Sequence, residues 1–534
     1  MKKVFLLFLL SGLVIAVNSA RADHIVVTGN VSGYWNADTI KIIGDITIPD
    51  DSSLIINPGV VVEFYGHYKI IVKGNVLAVG TADHSVRFTI NDTTGFADTT
   101  TTSGGWHGFI YENLSSFADS SKFSYCIFEY GKAVDTVTEG RYGGAFRIFN
   151  FSKILFTNCR FENNYAYHWG GAMYVKHADI GVQHSVFIKN YCGQAGIPYG
   201  YGGALCFVSS KPFVSYNYFE GNSSTGIGGA ASFEYSDADI RFNTFYKNKS
   251  ALGGALGYLR SYPVNVVSNN LVDQNESLFF GGGIACIRSN TIFVNNTVVN
   301  NSSTYGGGFY ANDSAFPSNY NTIFYGNFAF EGVEVYIWDV YSAPDFYYCN
   351  VPGGIMGFSG SGGQEGYHGI FVFNMDTIPL FKGSGDHPFS LERESPFVDA
   401  GTTDTMSLKI PFKDLAGNAR IYNNRIDIGA YEWNPGEGLP NIIKETVLSA
   451  SPNPCNQITV ISFTLARSGK VNMRIYDQNG KLIRDFGVQQ FNSGRCSVKW
   501  DLITGSGEKA PAGVYFCKIT GDQFSDSVKI LVVP

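Results

Sequence analysis

The sequence predicts an all-β protein in which a parallel β-helix is followed by a small C-terminal β-sandwich. Aromatic residues make up 15 % of the 534 positions, charged residues only 16 %, and 62 positions are glycine. This composition excludes disordered, coiled-coil and strongly helical chains. A motif recurs about every 26 residues through the middle of the chain. After residue 447 the pattern changes to short alternating strands, which is typical of a sandwich.

The N-terminus has the features of a secretory signal. Lys2 and Lys3 precede an apolar run over residues 4–17, and Ala20-Arg21-Ala22 has the small-x-small form of a signal-peptidase site. About fourteen apolar residues are too few to span a membrane. We therefore expect residues 1–22 to be a cleaved signal peptide and the mature, exported chain to begin at Asp23 without a transmembrane segment. The formal charge of −7 excludes a basic face for nucleic acid.

Residues 23–120 are predicted to form an N-terminal cap and the first coils. Residues 40–90 alternate strand and turn at about twenty-residue spacing. The residues before Asp38 would supply the cap that the end of a solenoid requires. Residues 91–105, rich in Thr, Asp and Gly, indicate a surface loop.

Residues 121–330 carry the regular repeats. An apolar residue followed three positions later by asparagine recurs at steps of 26, 32, 26, 27, 26 and 26 residues, so one six-residue insertion interrupts a fixed period. Its copies are Phe161/Asn164, Phe187/Asn190, Phe219/Asn222, Phe245/Asn248, Val272/Asn275, Val298/Asn301 and Phe324/Asn327. Between them stand paired glycines, as at Gly143-Gly144 and Gly170-Gly171.

The spacing inside each repeat predicts a coil with corners. A second apolar residue stands five positions before each motif, as Phe156 does before Phe161. In one flat strand these two side chains would lie on opposite faces, so the backbone must bend between them. Small polar residues that can hydrogen-bond along the stack occupy the bend, namely Cys126, Cys159, Ser185, Asn217, Asn243, Asn270, Asn296 and Thr322.

A third short strand follows the glycines in each repeat. Three strands and three corners in about 26 residues describe one coil of a parallel β-helix. A propeller blade needs about forty residues, and a sandwich shows no ladder of asparagines in one column.

The cysteines suggest one covalent link and no metal site. The sequence has nine cysteines but no C-x-x-C and no zinc-ligand spacing, so we expect neither a metal nor a cofactor. Cys126 and Cys159 share one corner column, and adjacent coils lie about 4.8 Å apart, which suits a disulfide. Two buried thiols are the alternative.

The Gly-Gly-Ala and Phe-x-x-Asn elements of residues 120–330 resemble the repeats of polymorphic outer-membrane-type proteins and related right-handed β-helix surface proteins. The resemblance implies a right-handed, pectin-lyase-like solenoid. Most such proteins are adhesins or surface proteins, and enzymatic relatives exist in the wider pectate-lyase-like superfamily. Residues 395–401 (SPFVDAG) and 425–432 (RIDIGAYE) are similar to the closing segment of anchor-bearing bacterial β-helix proteins. This similarity implies that residues 331–434 close the domain, with structural roles for the acidic residues.

Residues 435–447 are predicted to be a linker. Residues 448–534 resemble the type A C-terminal sorting domain of proteins exported by the type IX secretion system, on landmarks that include Pro452, Asn453, Pro454, Gly513, Tyr515 and Lys529. Cys455 stands where that motif usually has an aromatic residue. The resemblance implies the secretion machinery as a partner and the outer-membrane surface of a Gram-negative bacterium, or release from it, as the destination. A carbohydrate-binding sandwich is the alternative.

The third-strand column is the place where a β-helix lyase or hydrolase would carry its acids and bases. Its predicted outward positions hold no carboxylates on neighbouring coils and leave Arg147 and Lys176 without an acidic partner, so we expect a solvated face and no catalytic residue. Those positions are Arg147, Tyr174, Lys176, Cys206, Val208, Ser232, Glu234, Gly257 and Leu259.

Clustered aromatic residues are the better candidates for binding. They follow the motif asparagine in two adjacent coils, one of which contains the insertion, and such rings can stack on sugars. They are Tyr165, Tyr167, His168, Trp169, Tyr191, Tyr199 and Tyr201. The alternative is that these rings pack the insertion against the coil beside it.

The sequence thus predicts an exported surface protein, an adhesin or glycan-interacting protein without catalysis. Its expected partners, besides the secretion machinery, are a polysaccharide or a host or neighbouring surface. A polysaccharide lyase or glycoside hydrolase is one alternative, and a purely structural surface protein is another.

Overall fold

Short parallel strands, stacked coil upon coil, build the N-terminal part of the chain. The computed structural model describes residues 24–434 and 448–533, apart from 113, 115–118, 136–137, 263, 424, 466–468, 479, 493 and 522–523. The predicted signal peptide, residues 1–22, and the predicted linker, residues 435–447, lie outside the described residues. The chain divides into two compact units, Met1–Asn434 and Pro435–Pro534.

Each regular coil contributes one strand to each of four parallel stacks. Stack A precedes the polar corner; its strands are Gly33–Trp35, Ser53–Ile56, Asn75–Val79, Ser121–Ser124, Ile154–Thr157, Gly181–Gln183, Phe213–Ser215, Asp239–Arg241, Val266–Ser268, Ile292–Val294, Ser318–Tyr320, Asp345–Tyr347 and Phe371–Val372. Stack B carries the apolar residue of the motif; its strands are Val61–Phe64, Val86–Ile90, Cys126–Glu129, Arg160–Glu162, Val186–Ile188, Tyr218–Glu220, Thr244–Tyr246, Leu271–Asp273, Thr297–Val299 and Ile323–Tyr325.

The other two stacks flank the paired glycines. Stack C follows the motif asparagine; its strands are Lys132–Ala133, Tyr165–Ala166, Tyr191–Cys192, Ser223–Ser224, Lys249–Leu252, Glu276–Phe280, Ser302–Tyr305 and Phe328–Glu331. Stack D follows the glycines; its strands are Lys69–Val72, Gly108–Glu112, Phe146–Phe149, Met173–Lys176, Leu205–Val208, Ala231–Glu234, Leu256–Leu259, Ile284–Ile287, Phe309–Asn312 and Val335–Ile337. At the N-terminal end His24–Asn30 pairs with Thr39–Ile48. The long strand Thr39–Ile48 in turn pairs with the first strand of stack B and the first strand of stack D.

The prediction of three strands per coil was wrong, because stack C was missed. Its strands are as short as Lys132–Ala133, and two residues cannot display an alternating pattern. Three 3-10 turns, Thr138–Arg141, Gly354–Gly357 and Gln364–Gly366, complete the regular elements described in this unit.

The interior is apolar, and its rings stack from coil to coil. Phe161, Phe187, Phe219 and Phe245 are all buried, and consecutive ring centroids lie 4.6, 4.7 and 4.9 Å apart. The apolar side chains that precede the polar corner and those that follow it both point into the interior. The predicted bend of the backbone between them is therefore confirmed. Stacked rings of this kind add to the stabilisation from burial alone.

Two asparagine ladders run along the corners. The predicted ladder is present: each side-chain amide from Asn217 through Asn270 donates to the next side-chain oxygen at 3.0 Å. A second ladder, between stacks B and C, joins Asn164 to Asn327 through donor–acceptor distances of 2.8–2.9 Å. The same amides also donate to backbone carbonyls, as Asn248 does to Phe219. The ladders therefore satisfy polar groups that the bends would otherwise leave buried without partners.

The paired glycines are required by close backbone approach. Gly170 has φ +68°, a conformation that side-chain-bearing residues rarely adopt. A Cβ atom on Gly171 would lie 2.0 Å from the carbonyl oxygen of Gly203 in the next coil. Only glycine fits this second position.

Residues after the last coil return along the outside of the helix. Stack A continues through Phe371–Val372, and the chain then runs back beside earlier coils. The amide of Thr402 donates to the Asn321 side chain at 2.8 Å, and the amide of Ala430 donates to the Thr297 hydroxyl at 3.0 Å. The expectation that residues 331–434 only close the C-terminal end of the β-helix was therefore incomplete. Part of this segment lies against the side of earlier coils.

The acidic residues of that segment hold its own backbone. Asp427 accepts from the amides of Asp399 and Trp433, and Glu432 accepts from those of Tyr422 and Asp427. Both carboxyls are buried, and a guanidinium nitrogen of Arg420 lies 4.0 Å from a Glu432 carboxylate oxygen, which matches the expected structural role.

The C-terminal unit consists of two antiparallel sheets. One contains Ser449–Ser451, Thr459–Leu465 and Gly494–Trp500, and the other contains Leu482–Phe491, Gly469–Asp477, Gly513–Gly521 and Phe524–Val532. Trp500, Ile461, Ile475 and Ile530 form its core. The predicted all-β fold, a parallel β-helix followed by a small antiparallel β unit, is confirmed.

Among the described residues, no helix has both the length and the apolar character needed to cross a membrane.

Candidate functional site

The outward face of stack D is covered, and the prediction of a solvated face was wrong. Tyr174 and Cys206 on this face are buried, because corner residues from stack C's side of the glycines fold over it. The Tyr142 ring lies 4.8 Å from the Tyr174 ring, and the Trp169 ring stacks on the Tyr201 ring at 5.4 Å. Aromatic side chains at the corner thus cover this part of the face on which β-helix enzymes would carry their catalytic groups.

The charged residues of stack D form ion pairs between coils. The Arg147 Nε atom lies 2.8 Å from a Glu112 carboxylate oxygen in the preceding coil, so the expectation that Arg147 lacks an acidic partner was also wrong. Glu234 pairs with Arg260 at 3.2 Å. Glu112 lies several strands from Glu234 in the stack, so these two carboxylates do not face each other as an acid/base pair would.

Within the described part of the chain, no group of three or more His, Cys, Asp or Glu residues is placed to hold a metal ion.

The predicted aromatic residues divide into three sets. Tyr165 is only 2 % exposed, and its hydroxyl donates to the carbonyl of Gly193 at 3.1 Å. The Tyr191 ring lies 5.5 Å from the Tyr165 ring. Tyr165 thus packs against the insertion, as the alternative interpretation held, and does not reach the surface.

Trp169 and Tyr201 form the second set. Their rings are parallel to within 2°, and the Trp169 indole Nε1 atom donates to the carbonyl of Tyr199 at 3.1 Å. This bond ties the inserted loop to the corner beneath it. Both side chains are half-buried, so they support the neighbouring surface.

Tyr167, His168 and Tyr199 form the third set and line a cleft. This aromatic cleft encloses about 110 Å³, and Arg141, Gln194 and Ile197 complete its side-chain lining. The Tyr167 hydroxyl donates to the Gln194 side-chain oxygen at 2.6 Å, and the Arg141 guanidinium lies 4.7 Å from the centre of the Tyr167 ring. Tyr199 is 64 % exposed at the rim. The cleft therefore offers ring faces together with polar groups.

Three of these lining residues were missed by sequence reasoning. Gln194 and Ile197 belong to the six-residue insertion, and Arg141 belongs to the 3-10 turn Thr138–Arg141. The insertion itself was visible as the single 32-residue step. Loops placed on a rigid scaffold are where binding residues concentrate, so that irregularity was the available signal.

Burial lowers the pKa of His168, and the nearby Arg141 guanidinium lowers it further. Its imidazole is therefore neutral at physiological pH, so one ring nitrogen donates a hydrogen bond and the other accepts one. Such a group suits a hydroxyl, which also donates and accepts.

A second loop lies on the same side of the helix. The buried Lys132 ammonium donates to the carbonyls of Gly95, Asp98 and Ser103 at 3.1, 2.9 and 2.7 Å. These bonds hold the predicted surface loop, residues 91–105, against the strand that precedes Tyr165 in stack C. The strand next to that of Tyr165 is thus covered by this second loop, besides the insertion that lines the aromatic cleft.

Cys126 and Cys159 lie in adjacent coils, as the register predicts. Both are buried and carry free thiols. The Cys126 sulfur donates to the Ala78 carbonyl at 3.2 Å and the Cys159 sulfur to that of Phe123 at 3.4 Å. They extend the polar corner column beyond the asparagine ladder.

The predicted sorting residues meet around the last strand. The Asn453 side chain donates to the Lys529 carbonyl at 2.7 Å and accepts from the Leu531 amide at 2.8 Å. The flanking Pro452 carbonyl accepts from Thr459 at 2.9 Å, and Pro454 follows directly. Gly513 begins the penultimate strand, where the Tyr515 ring lies 5.4 Å from that of Trp500. Lys529 itself is exposed.

Comparisons with known proteins identify two regions. Residues 115–301 match the family described as "Right handed beta helix region", and residues 456–524 match the family described as "FlgD Ig-like domain". No curated protein matches the chain. One similar solved structure is "Crystal structure of dimeric latent PorU from Porphyromonas gingivalis", at 21 % identity and a TM-score of 0.14, over 16 % of this chain and 9 % of that one. Together with the stacked parallel strands, the first match establishes the N-terminal unit as a right-handed parallel β-helix.

Proposed function

We propose that this chain is an exported surface protein that contacts glycans through the aromatic cleft and does not cleave them. A right-handed β-helix joined to an Ig-like domain fits a surface- or polysaccharide-related protein. The observation that carries the finer proposal is the cleft itself, in which Tyr167, His168 and Tyr199 present ring faces and hydrogen-bonding groups on a rigid solenoid. Sugars offer apolar C–H faces to such rings and hydroxyls to such polar groups.

The proposal that the protein does not cleave glycans rests on the outward side chains of stack D. Its outward residues Tyr174, Cys206 and Val208 are buried against Tyr142, Trp169 and Tyr201. Glu112 and Glu234 each pair with an arginine. A glycosidase needs two carboxyl groups facing one bond. A lyase or hydrolase of the pectate-lyase-like superfamily is therefore the less favoured alternative, and a purely structural surface role predicts no saccharide binding.

Native affinity electrophoresis of the full mature chain tests both parts of this proposal. Gels would contain plant, algal or host polysaccharides, and staining afterwards would detect cleavage. We expect retardation by one class of polysaccharide and no cleared zone. A cleared zone would establish an enzyme instead, and free migration through every gel would favour protein-directed adhesion or a structural role.

The C-terminal unit is proposed to direct export by the type IX secretion system to the outer-membrane surface. The support is the resemblance of residues 448–534, with Asn453 fastening the last strand in place. In a bacterium that has this system, the full chain should reach the cell surface or medium, whereas a chain ending at residue 447 should stay in the periplasm. Equal surface display of both chains would overturn the proposal.

A further inference from the structure

Hydrogen-bond acceptors that line the aromatic cleft are already engaged within the fold. The Gln194 side-chain oxygen accepts from the Tyr167 hydroxyl at 2.6 Å. The Gly193 carbonyl accepts from the hydroxyl of a buried tyrosine at 3.1 Å, and the Tyr199 carbonyl accepts from the Trp169 indole at 3.1 Å. A ligand therefore finds few acceptors here that do not already hold a hydrogen bond.

Donors in the same lining are left over. Because its oxygen holds the Tyr167 hydroxyl, the Gln194 side chain still has its amide group, which carries two N–H donors. In the part of the chain that the structure describes, no acceptor receives a hydrogen bond from this amide or from the ring nitrogens of His168. The neutral His168 imidazole adds one more N–H donor. The cleft thus offers a ligand more donors than acceptors.

Arg141 gives the cleft its charge. Its Nε atom donates to the Asp135 carbonyl at 2.9 Å, and its guanidinium lies 4.7 Å from the centre of the Tyr167 ring. These two contacts hold the guanidinium at the cleft, where its charge lowers the pKa of His168 after the larger effect of burial. Among the described residues that line the cleft, there is no aspartate or glutamate. A ligand therefore meets one positive charge and no negative charge in the lining.

We propose that the aromatic cleft binds a sugar that carries a carboxylate, with the carboxylate held by the Arg141 guanidinium and the Gln194 amide. This assignment rests on the glycan contact proposed above and adds the charge of the sugar to it. An ionised carboxylate only accepts hydrogen bonds, at about four lone-pair sites, so it matches the surplus of donors. Hydrogen bonds between a guanidinium and a carboxylate are about twice as strong as neutral ones.

The size of the cleft limits recognition to one sugar unit. Its volume of about 110 Å³ is below the roughly 300–1,000 Å³ of sites that hold drug-sized ligands. The exposed Tyr199 ring at the rim is placed to contact the apolar face of that same sugar. A sialic acid and a uronate both present a ring with a carboxylate, so the two sources have to be separated by experiment.

Calorimetric titration of the full mature chain tests this assignment. The probes are 3′-sialyllactose, cellobiouronic acid (a glucuronate linked to glucose) and the carboxyl methyl ester of each, which keeps the sugar rings and removes the charge. We expect one of the two acids to bind at least about tenfold more tightly than its own ester, and the acid that does so identifies the source. Added salt should reduce this difference, because it screens the charge of Arg141.

Two variants locate the carboxylate. Arg141→Gln should lose about tenfold or more of the affinity for the acid and bind the ester as the wild type does. Gln194→Glu has nearly the same shape and keeps an acceptor for the Tyr167 hydroxyl, but it places a negative charge in the cleft, so we expect the same loss. The matched control is Gln183→Glu, which makes the same change of charge on stack A, outside the lining, and should bind as the wild type does.

Several outcomes would overturn the assignment. One is equal affinity of each acid and its ester, and another is acid binding that is unchanged in Gln194→Glu. If neutral polysaccharides are retarded in the affinity gels through Tyr167 and Tyr199 while the acids bind no better than their esters, the glycan contact stands and only the charge preference fails. Acid binding that is lost in Arg141→Gln but kept in Tyr167→Ala/Tyr199→Ala would show an anion site and contradict the glycan contact itself.

Discussion

The side-chain amide of Asn327 donates to the buried carboxyl of Glu334 at 2.5 Å, and this contact ends the second asparagine ladder. Every earlier asparagine in the ladder is followed by another asparagine that accepts its hydrogen bond. Glu334 supplies the acceptor where the repeat stops. The last rung of the ladder therefore depends on a group that titrates.

Stability should fall as pH rises because of this carboxyl. Burial raises the pKa of Glu334 to about 7, above its unfolded value of about 4.3. The folded state thus binds the proton more tightly, so its contribution is complete below about pH 4.3 and is lost as pH rises through 7. Burial also raises the pKa of Glu432 to about 8 and that of Asp427 to about 6, which adds a loss in the same direction.

Glu334→Gln isolates the contribution of the ladder's end. The variant should match the wild type near pH 4.5 and should be more stable by about 1–3 kcal/mol at pH 8, because it removes the cost of ionising a buried carboxyl. Urea unfolding at the two pH values measures this. A variant that loses stability equally at both would show that Glu334 acts through packing alone.

Removing one asparagine from within the second ladder should be costly. In Asn248→Ala the Asn222 amide loses its acceptor and the Phe219 carbonyl loses its donor. Buried groups left in this way cost about 1–3 kcal/mol each, so we expect a loss of about 2–4 kcal/mol in unfolding free energy. Asn91→Ala, at an exposed position, is the control and should change stability by less than about 0.5 kcal/mol.

The second glycine of the pair should not tolerate a side chain. Gly171→Ala would place a Cβ atom against the Gly203 carbonyl, and neither backbone can move without disturbing its coil. We expect a thermal unfolding midpoint lowered by several degrees or failure to fold. Gly196→Ala has positive φ but open space around it, so it should cost only about 1 kcal/mol. Similar midpoints for the two variants would contradict the close-approach argument.

Asn453 should stabilise the C-terminal unit by holding the last strand. Asn453→Ala removes the two hydrogen bonds to the Lys529 carbonyl and Leu531 amide, at about 1–2 kcal/mol. Hydrogen exchange of amides within Phe524–Val532 should accelerate in the variant while exchange in the β-helix stays the same. Unchanged exchange in that strand would exclude the fastening role.

Alkylation should find two thiols at Cys126 and Cys159. Both are buried in the fold, so an alkylating reagent should label neither in the native chain. Both should be labelled after unfolding without reductant. Mass spectrometry of the peptides would reveal a disulfide instead as a linked pair that stays unlabelled until it is reduced.

The repeat was sufficient to predict the coil, because its period, its inward columns and its corner asparagines follow from backbone geometry. What it could not predict depends on contacts between side chains of different columns. Tyr142, Trp169 and Tyr201 fold over Tyr174 because the glycines bend the chain back on itself, and no periodicity reports that bend angle. Arg141 reaches the aromatic cleft from a 3-10 turn in the preceding coil. No spacing in the sequence indicates that this residue lies next to the cleft in the fold.

The most direct test of the account is the migration of a Tyr167→Ala/Tyr199→Ala double variant through the gel that retards the wild type. Tyr34→Ala, which removes an exposed tyrosine far from the cleft in sequence, is run beside it as the control. We predict that the double variant migrates as in a gel without polysaccharide, whereas Tyr34→Ala is retarded like the wild type. Equal retardation of all three proteins would contradict glycan contact through the aromatic cleft.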